Sequence, residues 1–321
     1  MSTSTRWDGL VTGLGNVFAE SRQMGGGVMH DGKVLVYGAT GAQGSPVVQQ
    51  LLDAGRSVRV VTRDAGLAQH WASRGAEIAV GDLAQPETLK AANDGVERVV
   101  LQLPLQYDFA LHEAYGRNAI DAARDAGVEL LVFNTSAHVI PDTDVHIYGV
   151  RQEVVDYLQA SGVPSIVLRP TFYMEILLGP WIRPGIVDNG VVAFPLPADF
   201  PMSWVSAAEM AAYSVAALDR PDLAGRTFDI GGPEALTGDA MARQFSELLQ
   251  SSVTYLPIPP DDYEQALAPI FGPTVAFEVA AQVRYIIGSG DGSVGMKETA
   301  AEFSVEPVTL HRWLRDHEWA S

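Results

Sequence analysis

The sequence predicts an α/β fold built on a doubly wound parallel sheet, and three observations carry that prediction. Short β-branched runs alternate with helical patterns from Lys33 onward, a glycine-rich turn follows the first run, and the alternation breaks after Arg169-Pro170. Val34-Leu35-Val36-Tyr37 reads as the first strand, and Val47, Val48, Leu51 and Leu52 at helical spacing place a helix over 43–54. Further strands are expected at 58–62, 77–80, 98–103, 130–134 and 165–168, separated by helices at 65–74, 85–93, 109–126 and 147–161. Strands joined through helices need right-handed crossovers, so six parallel strands with helices on both faces follow.

Beyond Pro170 the chain carries Pro180, Pro184, Pro195, Pro197 and Pro201 together with Trp181 and Trp204, a mixture expected in an irregular segment that binds or covers something. A helix at 207–218, a strand at 227–230 and helices at 237–249, 261–270, 274–287 and 307–316 come next. The expected organisation is an N-terminal extension over 1–32, a nucleotide-binding domain over 33–170, and a smaller mixed α/β substrate lobe over 171–321 that contributes a strand and helices back to the first. The extension is rich in Ser, Thr and Gly, and its Gly13-Leu14-Gly15 has neither a preceding strand nor a third glycine.

Composition narrows the function. With 321 residues, 47% hydrophobic and 19% charged, the chain has the make-up of a globular protein of one large unit or two subdomains. Asp and Glu number 39 against 21 Lys and Arg, for a net charge of −18, and only Lys33, Lys90 and Lys297 are lysines. Such a surface repels phosphate backbones and anionic lipid, and no basic cluster offsets it, so neither nucleic acid nor membrane is an expected partner. The helix containing His311, Arg312 and Arg315 accordingly reads as an amphipathic closure of the second lobe rather than a DNA reader. The absence of cysteine excludes disulfides, thiolate metal sites and thiol nucleophiles, and no spacing of His and carboxylates suggests a metal. No basic leader with an apolar core opens the sequence, and a cytoplasmic protein is expected. Hydrolase signatures of the GxSxG and HExxH kinds do not occur.

Gly38-Ala39-Thr40-Gly41-Ala42-Gln43-Gly44 stands between the first strand and the first helix. One glycine permits the turn, another lets a pyrophosphate approach the backbone, and the last allows close helix–strand packing while the helix N-terminus offers N–H donors. The spacing is GxxGxxG. Together with Val61-Thr62-Arg63, Gly81-Asp82-Leu83, Tyr157-Leu158-Gln159-Ala160-Ser161-Gly162-Val163-Pro164, Leu168-Arg169-Pro170-Thr171-Phe172-Tyr173-Met174-Glu175 and Asp229-Ile230-Gly231-Gly232-Pro233-Glu234, this loop resembles the NmrA-like branch of the atypical short-chain dehydrogenase/reductase superfamily. The likeness runs over residues 33–317.

The resemblance implies a Rossmann-type domain that binds NADP(H) through Gly38, Thr40, Gly41, Ala42, Gln43 and Gly44, with Asp82 and Leu83 flanking the adenine and Gln102, Leu103 and Pro104 along the ribose and pyrophosphate. Arg63, after the second strand, suits a 2′-phosphate, whereas a carboxylate there would suit the ribose of NAD. Asp64 follows it, so NAD(H) stays open. For catalysis the superfamily pattern implies Ser, Tyr and Lys: Ser136 matches the serine, Tyr148 lies on the following helix, and the lysine position falls on Arg151, which can hold ribose and present charge but cannot shuttle a proton. Tyr148 reads equally as a helix residue with its hydroxyl at the surface. His138 and Tyr173 are alternates for proton transfer, and Phe172, Tyr173, Met174 and Trp181 read as either a pocket wall or core. The expected activity is NADPH-dependent reduction of a small planar acceptor such as a quinone, enone or carbonyl. A non-catalytic NADP(H) sensor acting through a protein partner, and a non-redox enzyme on the same fold, are the alternatives. A homodimer is left open.

Overall fold

A computed structural model of the chain describes residues 32–138, 143 and 145–319. The expectation for the N-terminal extension therefore lies, Gly32 apart, outside the described residues. The first half alternates strand and helix: β1 (Val34–Val36), α1 (Gly44–Asp53), β2 (Val58–Thr62), α2 (Gln69–Ser73), β3 (Glu77–Val80), α3 (Pro86–Asn93), β4 (Arg98–Gln102), α4 (Phe109–Asp125), β5 (Leu130–Asn134), α5 (His146–Ala160) and β6 (Ser165–Pro170). The second half comprises β7 (Phe172–Tyr173), α6 (Arg183–Asn189), β8 (Val191–Phe194), β9 (Met202–Val205), α7 (Ala207–Leu218), β10 (Thr227–Ile230), β11 (Ala235–Leu236), α8 (Gly238–Leu249), β12 (Thr254–Pro257), α9 (Pro260–Phe271), α10 (Pro273–Ser289), α11 (Lys297–Phe303) and α12 (Leu310–Arg315).

The main sheet is parallel throughout, in the order β10-β6-β5-β4-β1-β2-β3. Alternation along its strands builds two cores. Val34, Val36, Val60, Val100 and Val132 face one side with Val48 and Leu51 of α1 and Met210 and Tyr213 of α7. Leu35, Val61, Val99, Leu101 and Phe133 face the other with Leu89 of α3, Ile120 of α4 and Leu158 of α5. The sheet has seven strands, one more than the first half of the sequence supplies. After the break at Pro170 the chain returns, sets α7 on the sheet and adds β10 beside β6, with Phe228 opposite Leu168 and Asp229 opposite Arg169. That pairing joins residues about sixty positions apart, which no local pattern announces.

The proline-rich stretch is more ordered than expected. It holds β7, α6, β8 and β9, and its aromatic residues are packed: Phe172, Phe194 and Trp204 meet edge to face at 5.2–5.8 Å. These rings belong to a third core with Phe245 of α8 and Trp313 of α12. Trp181 packs edge-on to Phe271 at 5.1 Å beside the α9–α10 hairpin. No helix among the described residues is long and apolar enough to cross a membrane.

Candidate functional site

In a doubly wound sheet the crevice opens where strand order reverses, at the C-terminal ends of β1 and β4. The glycine turn lies there. Gly38 has φ +70°, and a Cβ on it would stand 2.9 Å from the Gln102 carbonyl oxygen, so only glycine fits. A Cβ on Gly44 would run into the Gly38 carbonyl, which lets α1 start directly against the turn. Gly41 is exposed, with Gly38 O alone near its would-be Cβ at 3.3 Å. The N-terminus of α1 has no side-chain cap and no acidic residue in its first turn, which leaves it suited to an anion. Among the described residues this combination fits a dinucleotide's pyrophosphate.

From the turn a line of polar side chains crosses the strand ends. Gln102 donates through Nε2 to Gln43 Oε1, and Asn134 Nδ2 approaches the same oxygen at 3.4 Å. Asn134 Oδ1 accepts from the Ser136 amide at 2.8 Å, which fixes the amide's orientation and turns Nδ2 toward Tyr173 Oη at 3.2 Å. Because Tyr173 Oη accepts there, its own proton stays free to donate. Burial pushes its pKa above the ordinary phenol value despite the Asn134 bond, so it is a neutral donor. Sequence reasoning missed Asn134. Its signal was a lone amide ending the otherwise apolar strand Leu130–Asn134.

Arg151 stands beyond Tyr173, 4% exposed, in the electrostatic reach of Tyr107, Tyr148 and Tyr173. Its Nε and Nη1 are buried without hydrogen-bond partners among the described residues, and burial lowers its pKa. His112 of α4, also buried, has neither ring nitrogen bonded, and burial together with the adjacent guanidinium lowers its pKa to about 4. Tyr107, on the segment between β4 and α4, is likewise raised by burial. Neither Tyr107 nor His112 was singled out from the sequence, since both lie where the partners come from other helices.

The remaining predicted residues fall into three groups. Arg63 is exposed at the end of β2 and forms no ion pair among the described residues, whereas the Asp64 carboxylate accepts from Gly66 N at 2.8 Å and caps the following turn. Thr40 is half-buried and Ala42 exposed within the turn. Asp82 Oδ1 accepts from Ala84 N, the Leu83 carbonyl accepts from Asn118 Nδ2, and Pro104 is exposed; the Leu103 side chain packs into the core below the sheet instead of lining the crevice. Ser136 adopts φ +64°, a left-handed conformation rare outside glycine, at the end of β5. Tyr148 is 1% exposed, packed edge-on against Tyr285 of α10 at 5.9 Å, and pushed up by burial, so the reading that put its hydroxyl at the surface is corrected. No hydrogen bond joins Ser136, Tyr148 and Arg151 among the described residues. His138 lies 3.6 Å from Asp229 on the outermost strand β10, across β6 from the polar line, and burial lowers its pKa. His146 pairs with Glu278 of α10 at 3.1 Å, and that carboxylate also accepts from Ile147 N at 3.3 Å to cap α5.

The model of the NmrA-like family matches residues 30–314. An NAD(P)H azoreductase of Xenophilus azovorans is 31% identical over 275 residues, which are 86% of this chain and 94% of that protein. A (4-alkanoyl-5-oxo-2,5-dihydrofuran-3-yl)methyl phosphate reductase of Streptomyces griseus is 33% identical over 248 residues, 76% of this chain and 83% of that one. Among solved structures, an Escherichia coli NADPH-dependent quinone oxidoreductase complexed with NADPH superposes with a TM-score of 0.76 at 22% identity, covering 88% of this chain and 98% of that one, a likeness of fold. With the glycine turn, the strand order and this match over nearly the whole described chain agreeing, the protein belongs to the NmrA-like family.

Proposed function

We propose that this protein is an NADPH-dependent reductase of small planar acceptors, quinones, azo compounds and enones among them. The observation that carries the reading is the polar line Gln102–Gln43–Asn134–Tyr173, which leads from the glycine turn to a buried cluster of tyrosines around one fixed positive charge. Support comes also from relatives that are reductases at 31% and 33% identity.

NADPH, when bound, supplies the hydride. Gly38, Thr40, Gly41, Ala42 and the start of α1 hold the pyrophosphate through backbone N–H groups. Arg63 takes the 2′-phosphate, for which Asp64 does not compete because its carboxylate is committed to the Gly66 amide. Gln43 and Gln102 steady each other beside the ribose, and Asp82 and Leu83 flank the adenine. Asn134 aims the Tyr173 hydroxyl, whose proton is available to an acceptor oxygen or nitrogen. Arg151 supplies a positive charge that no working pH removes, set against negative charge developing on the acceptor. Ser136 and Tyr148 border this region, Ser136 through the Asn134 bond and Tyr148 through Arg151. A conjugated acceptor also draws protons from solvent, so the chemistry tolerates an arginine where a proton-shuttling lysine would stand.

The test is NADPH consumption by the purified protein with quinones, azo dyes, enones, aldehydes and ketones, alongside Tyr173→Phe and a Ser136→Ala/Tyr148→Phe double variant. Saturable consumption that Tyr173→Phe slows is expected. Tight NADPH binding with no consumption across the set would overturn the reading and favour a binding-only redox sensor.

A further inference from the structure

The guanidinium of Arg151 is the one charge of the buried cluster it forms with Tyr107, His112, Tyr148 and Tyr173. It is buried, its Nε and Nη1 are unbonded, and no carboxylate among the described residues pairs with it. Removing a cation from water without a partner is costly, and proteins retain such groups where something else completes them. The neighbours do not complete it. Tyr107, Tyr148 and Tyr173 are held protonated by burial and offer neutral hydroxyls. His112, unbonded at both ring nitrogens, adds one donor and one acceptor in its neutral form. The cluster thus has a surplus of positive charge. A guanidinium matches planar two-oxygen groups bidentately.

We propose that Arg151, with His112 and Tyr107 beside it, is a receptor for an anionic group on the acceptor, so that the preferred substrates are planar acceptors bearing a carboxylate, sulfonate or phosphate. This rests on the reductase reading and specifies its substrate class. The overall charge of −18 repels such compounds at long range, so the selection arises locally and its long-range cost falls with added salt.

The experiment compares 1,4-naphthoquinone with 1,4-naphthoquinone-2-sulfonate as acceptors for the wild-type protein and for Arg151→Met and Arg151→Lys. The ratio of kcat/KM values between the two quinones, divided by the same ratio for the variant, cancels their intrinsic reactivities. Arg151→Met is expected to shift that double ratio against the sulfonate by on the order of tenfold or more, and Arg151→Lys by less. In a second arm, binding of the unreactive 2-naphthalenesulfonate is measured by calorimetry in the presence of NADP⁺. Binding is expected for the wild type and its loss for Arg151→Met, a variant that should fold because it removes an unpaired buried charge. An unchanged double ratio with no sulfonate binding means that internal water satisfies the guanidinium, and overturns the proposal. An unchanged double ratio with a large loss of NADPH affinity assigns the charge to a cofactor phosphate, and overturns it as well. If no acceptor of any charge is reduced while the sulfonate still binds through Arg151, the reductase reading fails and the anion site stands.

Discussion

Replacing Arg63 by Ala separates the two nicotinamide cofactors, and the size of the separation follows from the surroundings of Arg63. The side chain is exposed and has no ion pair among the described residues, and the neighbouring Asp64 is occupied with the Gly66 amide at 2.8 Å. Its removal therefore orphans no buried group, and stability should change by less than ~0.5 kcal/mol. What is lost is the pairing with a 2′-phosphate. An exposed ion pair between side chains is worth about 0.2–1 kcal/mol, but a guanidinium donating to a phosphate dianion makes charge-assisted bonds worth roughly 1.5–3 kcal/mol. The second value applies, because the ligand carries more charge and the arginine fork engages two oxygens. Arg63→Ala should then weaken NADPH binding on the order of 10- to 100-fold and NADH binding less than ~3-fold. Titration of reduced-nicotinamide fluorescence with each cofactor measures both constants. Equal losses for NADPH and NADH, or none for either, would refute the assignment of Arg63 to the 2′-phosphate.

Three other outcomes are expected. Gly41→Val should abolish NADPH binding, since the proposed pyrophosphate site is the exposed face of the turn; unaltered affinity in a folded variant would reduce the loop to a structural turn. Tyr173→Phe should lower kcat about 10²-fold with little change in NADPH affinity, by deleting the proton that Asn134 aims; steady-state kinetics that show only a raised KM would remove Tyr173 from the chemistry. Glu209, 2% exposed in the first turn of α7, has its pKa raised from 4.5 to about 8, mainly by burial, with the Val308 amide opposing. Since the folded value lies above the unfolded one, its contribution to stability is full below about pH 4.5 and is lost as pH rises through 8. Glu209→Gln should therefore melt higher than the wild type at pH 9, by a stabilisation on the order of a few kcal/mol, and the two should converge near pH 5. Parallel melting curves at both pH values would show that this carboxyl is not desolvated.

Much of the fold was legible because its signals are local. The period of apolar residues places Val47, Val48 and Leu51 on one helix face, and the turn at Gly38 needs a residue that tolerates φ +70°. The same reading put Gln43, Gln102, Ser136, Tyr173 and Arg151 in one region, because the first four lie at or after C-terminal strand ends and Arg151 lies in the second turn of the helix that follows β5. Of the two readings open for Tyr148, the surface hydroxyl is excluded by Tyr285 of α10, and the packing of the Leu103 side chain into the core depends on the sheet face that covers it, neither of which the local sequence specifies. His138 looked available for proton transfer until Asp229, ninety-one positions later, appeared beside it.

The sequence by itself determined the alternation of strand and helix, the nucleotide turn, the positive charge that Arg63 sets after the second strand and the substitution of arginine for lysine at position 151. These follow from backbone sterics, side-chain periodicity and residue chemistry, which act over a few positions. Tertiary structure decided that β10 pairs with β6, that Asn134 links Gln43 to Tyr173, and that Arg151 Nε and Nη1 and both His112 ring nitrogens are buried without hydrogen-bond partners among the described residues. Those facts depend on contacts across 39 to 91 positions along the chain, where packing of whole elements selects the neighbours and desolvation sets the charge each side chain keeps.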